Sequence, residues 1–147
     1  MSSFQIIVGS MLGGSEYVAE ACEETLIALG HQVDVHLQPT FAQISNENQT
    51  WLICTSTHGA GDYPDNIQTF ITDLEKSDQD LSSINFLTIG IGDSSYDTFC
   101  YAAKKINNIL ISKGCTEITA LLTLDMSEDI DPEERAQHWL NENKDLL

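Results

Sequence analysis

Short apolar runs alternate with segments whose apolar residues recur every three or four positions. Residues 4–8, Phe-Gln-Ile-Ile-Val, read as a strand rich in β-branched residues. Val18, Cys22, Leu26 and Leu29 then share one face of a helix predicted from Ser15 to Leu29, which Gly30 ends. Residues 32–37 alternate in polarity, as a half-exposed strand does. The polar stretch from Gln38 to Gln49 is predicted as a loop.

The second half repeats the pattern. A buried strand is predicted over 50–55, and a helix after Asp65 turns Ile67, Phe70, Ile71 and Leu74 inward. Residues 84–91 make another strand. A helix over 98–113 follows, with Asp97 as its N-cap and Phe99, Ala102, Ala103, Ile106, Ile109 and Leu110 on its apolar face. Residues 117–124 are the last strand. Asp131-Pro132-Glu133-Glu134 opens the final helix, which carries Ala136, Trp139, Leu140 and Asn143. An Asp cap with Pro at the first helical position suits that start.

Five strands alternating with four helices predict an α/β fold, a parallel sheet covered on both faces. No repeat or linker divides the sequence, so residues 1–147 are read as one domain. In such sheets ligands bind beyond the carboxyl ends of the strands, where the strand order reverses. Those ends open the loops at Gly9, Ser56 and Gly92, where the unusual residues lie.

Charge narrows the choice of partners. Six Lys plus Arg against 23 Asp plus Glu leave a formal net charge of −17. Such a surface repels nucleic acid and anionic lipid and attracts basic protein surfaces, or serves solubility alone. The start Met1-Ser2-Ser3-Phe4 lacks a basic, apolar leader, and no apolar run approaches the ~18 residues of a membrane span. A cytoplasmic setting is expected. Cys22, Cys54, Cys100 and Cys115 are scattered among apolar residues without metal-site spacing, so neither a disulfide framework nor a metal site is expected.

The first loop, Gly9 to Ser15, joins a strand to a helix. Its glycines turn backbone N–H groups inward, Ser10 and Ser15 add hydroxyls, and the helix N-terminus favours an anion. No Lys follows, and the nearest basic residue in sequence is Lys76, so a phosphate here is held by neutral donors. An ordinary glycine-rich turn is the plainer reading. The second loop, Ser56 to Asn66, contains two glycines and a proline and suits wrapping the edge of a flat polar ring. His58 faces either that ring or solvent. In the third loop, Gly90 to Cys100, Tyr96 either stacks on a planar ligand or clasps the sheet end.

Together the loops resemble those of the flavodoxin-like FMN domains. These carry a Ser-x-x-Gly-x-Ser/Thr phosphate loop, then Ser-Thr-x-Gly-x-Gly-Asp-x-Pro-Asp-Asn, then Gly-x-Gly-x-x-x-Tyr-x-x-Phe-Cys. The second and third look like the FMN modules of diflavin reductases. The phrases GSMLGG, STHGAGDYPDN and YDTFC are closest to the small MioC-type flavoproteins, over essentially the whole chain.

The resemblance implies a flavodoxin-like, doubly wound five-stranded parallel sheet in the order 2-1-3-4-5, with non-covalently bound FMN. It puts the FMN phosphate on Ser10, Met11, Leu12, Gly13, Gly14 and Ser15. The isoalloxazine falls between the Thr57-His58-Gly59 turn and the ring of Tyr96, with Ser56, Ala60 and Gly61 completing that turn. Ile91, Gly92, Asp93, Phe99 and Cys100 supply much of the remaining contact, and Asp125 approaches the ring or ribityl. Leu12 replaces a second hydroxyl that many flavodoxins carry, and His58 replaces the inner aromatic; both look MioC-type.

The implied function is electron carriage rather than catalysis. Electrons pass from a flavodoxin reductase-type donor to an acceptor enzyme, both docking by basic surfaces near the exposed flavin edge. MioC-type proteins point to a radical iron–sulfur acceptor, such as one in biotin synthesis. The carrier is expected as a monomer or weak dimer. No second glycine-rich strand–turn–helix offers a nicotinamide site. The alternatives are an NAD(P)H-dependent flavin or quinone reductase on the same fold and a flavin-free interaction module. A receiver domain is disfavoured, because Cys54-Thr55 and Gly9-Ser10 stand where its acidic residues belong.

Overall fold

The computed structural model describes residues 2–10 and 13–147. Strand β1 (Ser3–Gly9) is flanked by β2 (Gln32–His36) and β3 (Thr50–Ser56), and β4 (Asn85–Gly92) lies beyond β3. Every pairing is parallel. The outermost position beside β4 is shared by two short segments, β5 (Thr116–Glu117) and β6 (Leu122–Asp125). The order is therefore β2-β1-β3-β4-β5, with β6 also on β4.

The strands are nearly continuous apolar runs because both faces of the sheet are buried. Phe4, Ile6 and Val8 face one layer, formed by α1 (Gly14–Ala28) and α4 (Pro132–Glu142) through Val18, Cys22, Leu26, Ala136 and Leu140. Ile7, Trp51, Ile53 and Phe86 face the other layer, formed by α2 (Gln68–Lys76) and α3 (Tyr101–Ser112) through Phe70, Ile71, Leu74, Ile106 and Leu110. Gln5 is also buried, and its amide is satisfied by Gln49 at 3.1 Å, Asp34 at 3.3 Å and His36 at 2.7 Å. Asp131 caps α4 through Oδ1, which accepts the N–H groups of Glu133 and Glu134.

Three expectations need correction. The strand expected over 117–124 is broken. Phe86 pairs with Glu117, but pairing resumes with Ile89 opposite Leu122, so residues 118–121 span only 87–88. An outer strand tolerates such a bulge because its far side has no ladder to keep. The loop over 38–49 contains a 3-10 turn, Phe41–Gln43, and buries Phe41 and Ile44 beside Trp51 and Phe70.

The helix expected from 98 begins only at Tyr101, and its N-cap is Cys100 in the left-handed region (φ 56°), not Asp97. Cys100 folds down onto β4 at Gly90, where a Cβ would stand 3.2 Å from its Sγ and 2.8 Å from the Cβ of Ala103. That close approach bends the chain out of the helical path. Phe99 is consequently a half-buried loop residue rather than part of the helix face.

All four cysteines are buried and free. Burial pushes the Cys22 thiol up to about 12 and those of Cys100 and Cys115 up to about 11. A folded pKa raised above the unfolded value gives stability that is complete below about pH 8.5 and is lost as pH rises through the folded value. Between those limits Cys22 alone contributes a slope of roughly 1.4 kcal/mol per pH unit. Urea denaturation at pH 7.5 and pH 10 should therefore show falling stability, with a shallower fall in Cys22→Ala. Equal pH slopes in the two proteins would contradict this account.

Candidate functional site

The chain leaves β1 towards α1 and β2 on one side, and leaves β3 towards α2 and β4 on the other. The two connections diverge, opening a crevice at the carboxyl ends of adjacent strands. Its floor is polar. Ser10 Oγ accepts the Gly13 N–H at 2.9 Å, and Gly13, in the left-handed region (φ 89°), caps α1. Ser15 is 1% exposed, and among the described residues its Oγ has no hydrogen-bond partner. A cleft of about 300 Å³ opens here, lined by Ser10, Gly14, Ser15, Ser56, Thr57, His58 and Ile91. Met11 and Leu12, assigned to the same loop from sequence, lie outside the described residues.

A second cleft, of about 310 Å³, adjoins the first across Thr57 and is lined also by Gly59, Gly92, Asp93, Tyr96, Thr98, Phe99 and Cys100. One wall is the tight turn closed by His58 N–H to Asp62 O (2.8 Å) and Asp62 N–H to His58 O (2.7 Å). Gly59 (φ 53°) and Gly61 (φ 101°) allow that turn, with exposed Ala60 between them. Gly61 is wedged against Tyr101, where an added Cβ would stand 3.0 Å from the ring. Thr57 Oγ1 accepts the Ala102 N–H at 3.1 Å and so ties the turn to α3. His58 lines the first cleft, Gly59 the cleft that holds Tyr96, and Thr57 both.

The opposite wall is built by carboxylates that organise backbone. Asp93 Oδ1 accepts both the N–H and the hydroxyl of Ser95, at 2.9 and 2.6 Å. Asp125 Oδ1 accepts Ser94 N–H, Ser127 N–H and Ser127 Oγ–H at 3.0, 3.0 and 2.7 Å. The hydroxyls of Ser94 and Ser127, with the N–H groups of the same residues, hold its carboxyl far below the usual carboxylate range. Asp125 lines neither cleft. The structure gives it the task of pinning the loop that presents Tyr96, which stands 68% exposed at the rim.

Sequence reasoning missed four contributors. Thr98 lines the second cleft, with Oγ1 3.4 Å from Gly59 O. Asn66 binds the backbone at the ends of β1 and β2. Lys104 lies over the rings of Phe99 and Tyr101 at 5.6 and 5.7 Å, and Lys105 over Tyr63 at 4.6 Å. These two lysines interrupt a rim where Asp62, Asp65, Asp97, Glu128 and Asp129 are exposed. Among the described residues, no cluster of three His, Cys, Asp or Glu side chains is placed to hold a metal, and no helix is long and apolar enough to cross a membrane.

A family model described as flavodoxin matches residues 6–139. The chain is 42% identical to the MioC homolog of Haemophilus influenzae over 92% of each protein. It is 37% identical to protein MioC of Escherichia coli K12, over 100% of this chain and 99% of that protein. Among solved structures, a cysteine variant of flavodoxin from Pseudomonas aeruginosa superposes with a TM-score of 0.90 at 29% identity, covering 99% of this chain and 98% of that one.

The Ser15 hydroxyl, without a partner among the described residues, yields a paired expectation. A buried hydroxyl without a partner costs about 1–3 kcal/mol, so Ser15→Ala should leave the ligand-free protein at least as stable as wild type. The same change should weaken binding of a phosphorylated ligand by roughly tenfold. Thermal melts and FMN titrations check both halves. A destabilised variant that binds FMN normally would contradict the assignment.

Proposed function

The chain belongs to the flavodoxin family, as a MioC-type member, and from that premise we propose that it binds FMN across the two joined clefts and carries electrons from a reductase to an acceptor enzyme. The observation that supports this reading best is the buried Ser15 hydroxyl at the N-terminus of α1, which has no partner among the described residues. No described residue takes up its hydrogen, and it is placed where a helix end already favours an anion.

The residues present fit FMN. Ser10 and Ser15 would hold the phosphate together with the first-turn N–H groups of α1, all of them neutral donors. The backbone of residues 57–61 would meet the polar edge of the ring, and Tyr96 would cover one of its faces. The turn offers N–H and C=O groups side by side, which suits a ring edge that both donates and accepts. Bound FMN supplies the redox chemistry; the protein binds it, orients it and sets the surrounding charge. Thr57, Thr98 and Asp125 serve by holding the walls at a fixed separation.

The rim determines the partner chemistry. Tyr96, Tyr101 and Met126 are exposed among the acidic side chains. A basic surface with an apolar centre complements that arrangement in both donor and acceptor. A radical iron–sulfur enzyme is the acceptor class to which the MioC-type resemblance points, in a cytoplasmic setting.

Tyr96→Ala should weaken FMN binding by about 1–2 kcal/mol through lost stacking and burial, with an unchanged melting curve of the ligand-free protein. Normal binding would leave Tyr96 a clasp and place the ring elsewhere. In the functional test, a flavodoxin reductase should reduce the FMN-loaded protein in stopped flow. The bimolecular rate should fall steeply as ionic strength rises from about 0.01 to 0.5 M, because screening shortens the reach of the acidic rim. No reduction would contradict the carrier reading, and a rate independent of salt would contradict basic docking.

A further inference from the structure

Asn66 lines neither cleft. It stands at the end of the second loop, inside a short 3-10 turn (Asp65–Ile67) that precedes α2. Its side chain nevertheless reaches across the switch point of the sheet. Nδ2 donates to Val8 O at 2.7 Å and to Leu37 O at 2.9 Å, while Oδ1 accepts the Ser10 N–H at 2.8 Å. The ladder between β1 and β2 ends at the pair Ile7–His36. Val8 and Leu37 are thus the residues at which the two strands begin to part, and one amide ties both carbonyls together just beyond the last pair.

We propose that Asn66 is the positioning residue of the phosphate loop: by fixing the backbone at Val8, Ser10 and Leu37 it sets the flavin phosphate site without touching the ligand. This rests on the FMN reading above. Taking up the Ser10 N–H fixes the orientation of that peptide. Ser10 Oγ is thereby placed to accept the Gly13 N–H, leaving its own hydrogen free to point at an anion. The Gly13 bond in turn sets the residue that starts α1, and Ser15 follows within its first turn. The chain of dependence runs from Asn66 through Ser10 and Gly13 to Ser15.

The chemistry admits few substitutes. The site needs two donors facing carbonyls and one acceptor facing an N–H on the same short side chain, which a primary amide provides. Aspartate keeps the acceptor but sets a carboxylate against two carbonyl oxygens and adds negative charge behind the phosphate loop. Alanine leaves two C=O groups and one N–H without their partner.

The test compares FMN with riboflavin, which lacks the phosphate, by fluorescence quenching in wild type, Asn66→Ala and Asn66→Asp. Wild type should prefer FMN. Asn66→Ala should lose roughly ten- to a hundredfold in FMN affinity while riboflavin affinity changes less than about threefold, since only the phosphate site depends on the lost bonds. Asn66→Asp should lose more than Asn66→Ala for FMN. A wild-type preference that survives unchanged in both variants overturns the inference and leaves the FMN reading standing. Parallel loss of both flavins overturns it too, because Asn66 then supports the fold as a whole. A wild type that binds the two flavins equally overturns the FMN reading itself, and the inference with it.

Discussion

A parallel sheet buried on both faces has no surface on which to place polar chemistry. Every strand residue from Phe4 to Val8 and from Trp51 to Cys54 is committed to one of two apolar layers or, like Gln5, to an internal network. Polar function is therefore displaced to the carboxyl ends of the strands. Reversal of strand order at β1 decides which end loops can open around a ligand. The clefts, the glycines that form their walls and the carboxylates that brace them all follow from that constraint.

Electrostatics within the site follows a second constraint. On the proposed FMN reading, a chain of net charge −17 would hold a phosphate without a basic side chain in the loop that receives it. Oriented dipoles provide the alternative, because a helix N-terminus carries roughly half a positive charge and adds no counter-charge to the rim. Negative side chains at the second cleft and beside it, Asp93 and Asp125, each have one carboxylate oxygen engaged by backbone N–H groups. The exposed acids Asp62, Asp65, Asp97, Glu128 and Asp129 are those the proposed partners would meet. Lys104 and Lys105, laid over aromatic rings at the start of α3, add two positive charges beside them.

What could be read from sequence was whatever periodicity or a local turn encodes. The continuous apolar strands, the inward faces of α1, α2 and α4 and the Asp131 cap needed only neighbouring residues to be legible. So did the placing of Ser10, Ser15, Thr57, Gly59 and Tyr96 at one end of the sheet. What escaped depends on contacts between distant segments. The bulge between β5 and β6 is a matter of register against β4. The late start of α3 arises because Cys100 packs onto Gly90, ten residues earlier, and no helical pattern records that. Asn66 reads locally as a turn residue, and its three backbone partners lie 29 to 58 positions away. Asp125 entered through the family resemblance as a residue near the ring or ribityl; that its Oδ1 also braces Ser94 and Ser127 depends on contacts no local pattern records.

The central claim is that the joined clefts hold one flavin in a fixed, largely desolvated pose. Absorbance titration of the flavin-free protein with FMN tests it most directly. The account expects a break at one FMN per chain, with flavin bands shifted and sharpened relative to free FMN. A spectrum that remains the simple sum of protein and free FMN throughout the titration would contradict it.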